Sequence, residues 1–277
     1  MFGNIMRFNF LLIAVLFSIS TQLIAASGHP LMDSTFQASF GAFFPKSNTE
    51  FSLDSSTGRI GTTIDFEDDL GFDEHSTLPF ATFDWRITDR VKLNLEYFEI
   101  DRDSKAQIEK TINWGDLTFD TGAQVKAKWD VSVARIFLGY SFYKNTNIEL
   151  GAGGGIHFMY FDAKLSGDVS VNGNTLHAEE KADGIAPLPN IGIYGKYAFT
   201  DKWLVSSRVD WFGAEIGDYD GDLWSVDAAI QYQAFENVGF GLNYRFLDLD
   251  IDADSSDWTG NVNYQYHGPS VFMTVNF

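Results

Sequence analysis

The chain contains no cysteine. That excludes disulfides, thiolate chemistry, a lipidated N-terminal cysteine and most structural zinc sites. Positive charge is scarce as well. Nineteen Lys and Arg stand against 38 Asp and Glu, a formal net charge of −19. With no basic stripe anywhere, nucleic acid is excluded as a partner, because a phosphate backbone needs a basic surface. Long hydrophobic runs are missing beyond the N-terminus. Nothing after residue 27 reaches the roughly 18 apolar residues that a spanning helix needs, so any membrane crossing is made by strands. What is abundant is aromatic residues (16%) and glycine (25, against 6 proline), in 277 residues that suit one large all-β domain.

The first 27 residues read as a signal peptide. Arg7 is their only charge, and it precedes the apolar run Phe8–Ile19, in which Asn9 and Ser18 are the only polar residues. Ala25, Ala26 and Ser27 then offer a cleavage site. The expected organisation is a signal peptide over 1–27 and one β-barrel domain over 28–277.

The end of the chain alternates strictly. Val271, Met273, Val275 and Phe277 share one face, and Ser270, Phe272, Thr274 and Asn276 the other. A period of two marks a strand that meets an apolar medium on one side. An apolar edge strand invites aggregation, whereas a closed barrel has no edge. The same alternation recurs upstream, from Thr35–Phe44 through 77–87, 91–97, 125–142, 148–160, 187–199, 203–211, 224–232 and 238–246. Tight turns fall at Thr88, Tyr143, Thr200 and Phe235, and polar stretches at 45–76, 101–124, 166–183, 217–222 and 252–263. Long outer loops alternating with short inner turns predict a closed antiparallel up-and-down transmembrane β-barrel. Ten strands are expected, with eight or twelve as alternatives. Twelve would follow if Glu50–Ser55 and Ser56–Phe66 formed an additional hairpin. The hydrophobic phase slips near Ala134–Arg135, which predicts a β-bulge there.

Trp203 with Trp211, and Trp224 with Tyr232, lie eight residues apart on shared faces. Eight residues rise roughly 20 Å, close to the roughly 25 Å between aromatic girdles. Trp85, Trp129, Tyr197, Trp203, Trp211, Trp224 and Tyr232 are the candidate girdle. The opposite face carries Asp84, Arg86, Lys92, Glu96, Arg135, Glu149, His157, Lys196, Arg208, Asp210, Asp227 and Arg245. Buried charges must pair, so these residues are expected to form a network that plugs the lumen or, alternatively, to line a narrow polar pore. Gly151, Gly153 and Gly155 either make room for long side chains or leave a passage.

No catalytic constellation stands out. His157 lies on a barrel strand with no Ser or acid fixed beside it, and Asp73-Glu74-His75 reads as a solvated loop. Asp218, Asp220 and Asp222, and Asp248, Asp250, Asp252 and Asp254, do not fit an EF-hand. They are expected to keep the surface solvated, with divalent cations shared with lipopolysaccharide phosphates as the alternative. No cofactor and no resident metal are expected.

Several segments together resemble the OmpA/OmpW-like superfamily of small outer-membrane barrels. They are the signal peptide, Gly61-Thr-Thr-Ile-Asp-Phe-Glu-Asp-Asp-Leu-Gly-Phe-Asp73, Phe199-Thr-Asp-Lys-Trp203, Tyr244-Arg-Phe-Leu-Asp248 and the terminal Phe277. The resemblance implies the outer membrane of a Gram-negative bacterium, with lipid and lipopolysaccharide as surroundings. It also implies that Val271, Met273, Val275 and Phe277 serve as the signal read by the insertion machinery. The chain is longer than the eight strands usual in that group. Expected functions are a structural or narrow passive-channel role, porin-like, or a surface-binding role for the acidic loops. A lipid-A-modifying or protease barrel is the third and weakest reading.

Overall fold

The computed structural model describes residues 28–171, 174–216, 219–254 and 259–277, so the expected signal peptide lies outside the described residues. A short helix α1 (Pro30–Asp33) leads into β1 (Phe36–Phe43) and β2 (Lys46–Leu53). The segment that follows contains β3 (Ile64–Asp65) and α2 (Phe66–Leu70), and then come β4 (Leu78–Arg86) and β5 (Val91–Gln107). A small hairpin, β6 (Ile112–Trp114) and β7 (Leu117–Phe119), precedes β8 (Gln124–Lys144) and β9 (Ile148–Val171). The chain ends with β10 (Asn174–Ala198), β11 (Trp203–Ile216), β12 (Tyr219–Gln233), β13 (Val238–Asp254) and β14 (Thr259–Asn276).

Ten of these strands form one antiparallel ring in the order β1-β4-β5-β8-β9-β10-β11-β12-β13-β14. β14 closes it on β1, from Gln37 opposite Asn276 to Phe43 opposite Ser270. Past Phe44-Pro45, β2 continues along the same partner, from Lys46 opposite His267 to Leu53 opposite Gly260. The first wall strand is therefore one long strand interrupted at a proline, and proline has no N–H to give a ladder. The ten-strand expectation holds. Of the stretch that would have made twelve, Glu50–Leu53 belongs to the wall as the end of β2, and the chain after it turns back so that Ile64 and Asp65 pair with β2.

At the seam, the Phe36 N–H donates to the Phe277 carbonyl at 2.8 Å and the Phe277 N–H returns the bond at 3.0 Å. Their rings lie 6.1 Å apart. Deleting Phe277 removes both bonds and the ring contact. We expect the yield of folded, heat-modifiable barrel from an assembly assay to fall well below wild type. A wild-type yield would contradict this.

The strands are longer than a lipid layer requires. β9 has 24 residues and β10 has 25. At about 3.3 Å per residue and a tilt near 40°, they rise roughly 60 Å, more than twice a roughly 25 Å apolar band. The surplus is legible in a reversal of side-chain polarity. On β5, Val91, Leu93, Leu95 and Tyr97 point outward near the tight turns, while Lys92, Asn94 and Glu96 point inward. Farther along, Glu99, Asp101, Asp103 and Lys105 point outward, and Phe98 and Ile100 are buried inside. β13 makes the same exchange. Phe240, Leu242 and Tyr244 are exposed outside, and then Asp248, Asp250, Asp252 and Asp254 take the outer face over buried Leu249, Ile251 and Ala253. One half of the barrel is apolar outside and polar inside. The other half is polar outside and apolar inside, as a barrel in water must be.

This reversal corrects three expectations. No bulge exists at Ala134–Arg135: Val133, Ala134 and Arg135 pair in unbroken register with Met159, Phe158 and His157. The register shift of β8 lies at Ser141/Tyr143. What slips at 134–135 is polarity, because the inward row passes from Val131 and Val133 to Arg135 while the strand runs straight through. Secondly, most of the polar stretches 101–124, 166–183 and 252–263 are strand. Their outward charges are those of a wall facing water. Thirdly, Trp129 is not a girdle residue. It is 1% exposed and packs inside, on the apolar inward row of β8. The four tight turns are present, the second of them at Asn145–Asn147 after β8 ends at Lys144.

Candidate functional site

The inward residues near the tight turns build two charged layers. In the first, the Glu149 side chain is fully buried and takes Arg86 at 3.0 Å and Lys92 at 3.3 Å. The Ser141 hydroxyl donates to Glu149, and the Tyr194 hydroxyl lies 3.0 Å from Ser141 Oγ. Lys92 Nζ also stands 3.7 Å over the Tyr194 ring. A Cβ on Gly139 or on Gly151 would strike that ring. Cβ atoms on Gly153 and Gly155 would strike the Leu138 and Ile136 carbonyls of β8. Part of the glycine strip therefore makes room for Tyr194, and none of those four positions leaves a passage.

In the second layer, Glu96 holds Arg135 at 3.0 Å and also pairs with Arg245. Asp210 takes Arg208 at 2.8 Å and Arg135 at 3.5 Å, and Asp227 lies 3.5 Å from Arg245. Asn94 joins the set. Its Oδ1 accepts from Arg135 and Arg208, and its Nδ2 donates to Asp84 at 3.1 Å. Arg208 lies 3.6 Å over Phe137, and Arg245 4.3 Å over Phe80. Arginine suits such a layer, because its planar fork binds carboxylates and stacks on rings at once. His157 is buried at the edge of the layer, its Nδ1 3.2 Å from Asn190 Oδ1. The twelve inward residues named from sequence thus share one face. Asn94, Ser141, Tyr194 and Asn243 belong with them. Strand parity puts Asn94, Tyr194 and Asn243 on this face, but being uncharged they were not counted in the network, and Ser141 was not singled out.

Beyond the second layer the lumen is filled with side chains. Phe51, Phe66, Phe72, Trp114, Trp129, Phe161 and Tyr264 form one buried cluster, with Phe51 and Trp114 ring centres 5.0 Å apart. α2 is pinned there by Glu67, which accepts the Thr49 N–H at 2.8 Å and pairs with buried Arg102. Arg102 also donates to Thr49 Oγ1 at 3.0 Å and to the Asp73 carbonyl at 3.0 Å. The β6–β7 hairpin is tied to the same segment. Arg59 donates to the Gly115 and Leu117 carbonyls, and Asp116 accepts from Ser55 and Ser56. Those hydroxyls hold the Asp116 carboxyl below the usual carboxylate range. His75 stays exposed; its backbone N–H donates to Asp73 at 2.9 Å, and its Nδ1 lies 4.0 Å from the same carboxylate.

The outer face carries the remaining chemistry. Six of the seven girdle candidates lie on outward-facing positions, with Trp203 and Tyr232 4.8 Å apart near the tight turns and Trp211 and Trp224 6.4 Å apart near the polarity reversal. Above them Asp101, Asp130, Asp162 and Asp183 face one another across four neighbouring strands. On the far side Asp220 stands opposite Asp252, and Asp222 opposite Asp250. Asn261 and Asn263 donate to Asp250. Among the described residues no group of three or more His, Asp or Glu is arranged to hold a metal ion. Asp218 lies outside the described residues.

The chain superposes on the crystal structure of the outer-membrane protease OmpT from Escherichia coli with a TM-score of 0.59. The match covers 93% of this chain and 99% of that one, at 9% identity. The fold is the outer-membrane β-barrel fold. The Pseudomonas putida toluene transporter TodX matches over 90% of this chain and 92% of its own, at 10% identity and a TM-score of 0.33. Ail, the attachment invasion locus protein of Yersinia pestis, matches over 86% and 98%, at 9% identity and 0.33. At those scores neither bears on how this barrel works. No protein-family model and no curated protein matches the chain.

Proposed function

We propose that this barrel is a non-conducting protein of the Gram-negative outer membrane that works through the half standing outside the lipid. The tight turns would face the periplasm, and the charged half-barrel with its folded segment 54–77 would face the medium. The observation that carries the proposal is the filled lumen. Two layers of paired charges lie in the lipid-spanning half and an aromatic cluster in the other. A solute on the barrel axis would have to open both. Breaking a buried ion pair costs about 3–5 kcal/mol.

The surface role rests on the outer carboxylates. They give the exposed half a negative field that favours cationic partners and repels the edges of other sheets. Lipopolysaccharide would surround the apolar belt, and the insertion machinery would read the terminal strand. No catalysis is assigned: His157 is buried beside Asn190, and exposed His75 stands against the Asp73 carboxylate. In planar bilayers we expect no steady openings from folded protein. Unit conductance steps that vanish on heat unfolding would overturn the reading in favour of a channel.

A further inference from the structure

A lumen cavity of about 140 Å³ lies on the tight-turn side of the second charged layer. Lys196, Arg208, Asp84, Ser206, Gln231 and Asn243 are on its wall. Ser206 lies three residues from the start of β11, and Gln231 two residues from the end of β12. The cavity therefore reaches toward the tight-turn end, away from the aromatic plug.

Its wall has unspent positive charge. Arg86 and Lys92 share Glu149, Arg135 and Arg245 share Glu96, Arg208 shares Asp210 with Arg135, and Asp227 lies against Arg245. Among the described inward cations, Lys196 alone has no carboxylate within 4.0 Å. Arg208 uses Nε on Asp210 and Nη1 on Asn94, while its buried Nη2 has no protein acceptor. Gln231 Oε1 and Asn243 Oδ1 are buried on the same wall and accept from no protein group. Amide oxygens in that state suit an anion that still carries a hydroxyl. Asp84 is the one acid on the wall with no cation within 4.0 Å, and it takes the Asn94 amide. An anion that can give up negative charge by holding a proton tolerates it, and a fully charged one does not.

We propose that this cavity is a binding site for a small protonatable oxyanion of the phosphate class, held by Lys196 and Arg208. The site lies across the second charged layer from the outer half-barrel, so it stands or falls independently of the surface role. Inorganic phosphate titrated into the folded barrel in detergent, at constant ionic strength against chloride, is the probe. Isothermal titration should give saturable binding to wild type. Lys196→Met should weaken it about tenfold or more, the loss expected for one charge-assisted hydrogen bond, while Lys196→Arg should stay within about threefold. Asp84→Asn should tighten it. If Lys196→Met does not give the heat-modifiable band, Lys196→Gln replaces it. No saturable phosphate binding by wild type would overturn the site, and so would equal binding by wild type and the methionine variant.

Discussion

Glu96→Ala will lower the unfolding free energy of the barrel by about 3–5 kcal/mol, read as a shift in the urea midpoint of the reconstituted protein. Glu96 is buried and pairs with two guanidiniums, Arg135 at 3.0 Å and Arg245. Truncating it leaves both cations in place with one carboxylate each, Asp210 for Arg135 and Asp227 for Arg245, at 3.5 Å. The cost is the desolvation of charge already buried and newly uncompensated. That is larger than the net contribution of a well-made pair. Glu96→Gln keeps the shape and one acceptor, so it should cost less than the alanine variant. An exposed pair such as Lys164 with Glu179, 2.9 Å apart, provides the contrast. Glu179→Ala should cost under about 1 kcal/mol. If Glu96→Ala costs no more than Glu179→Ala, the layer is wet and its pairs are interchangeable with water.

Trp129→Ala will cost about 3–5 kcal/mol, and the damage will be confined to the outer half. Trp129 touches four rings: Phe66 at 5.5 Å, Phe51 at 5.8 Å, and Phe161 and Tyr264 at 6.0 Å. Removing the indole opens a void where the folded segment 54–77 meets the wall. That segment is held otherwise by Glu67, Arg102 and Arg59. Limited proteolysis should cut within 54–77 in the variant while the heat-modifiable band, which reports the lipid-spanning half, persists. Trp211→Ala, on the outer face, should leave the segment protected. Equal protection of 54–77 in wild type and the Trp129 variant would show that the plug does not depend on this packing.

How far the chain could be read in advance follows from what alternation reports. Period two and tight turns are local, and they located all ten wall strands near the turns, the closing partners Phe36–Phe44 and Gly268–Phe277, and the inward charges. They could not report which medium lies on each side. Once the medium outside changes from lipid to water, the same alternation continues with its polarity exchanged. Counting only outward apolar residues as strand then truncates every long strand at that point. Asp101–Gln107 and Ser166–Val171 therefore read as loop, and Trp129 as girdle. The pairings within the charged layers were also out of reach. Glu96 and Arg245 are 149 residues apart, and only closure of the ring decides that they meet. Lys196 looked like its neighbours in sequence. That no carboxylate comes within 4.0 Å of it, although Glu149 stands opposite it on β9, is a property of the whole layer.

The row Asp101, Asp130, Asp162 and Asp183 bears finally on how deeply the barrel sits. Moving one rung along the strands, two residues, displaces the wall by about 5 Å along the membrane normal. Such a sinking would draw four carboxylates on adjacent strands toward hydrocarbon at once, and rising by the same amount would strip lipid from Tyr97 and Phe158. Both displacements are opposed, so immersion depth has a single minimum. In a bilayer of unsuitable thickness it is then the lipid that must thin or thicken around this rim, since the barrel itself has no freedom to slide.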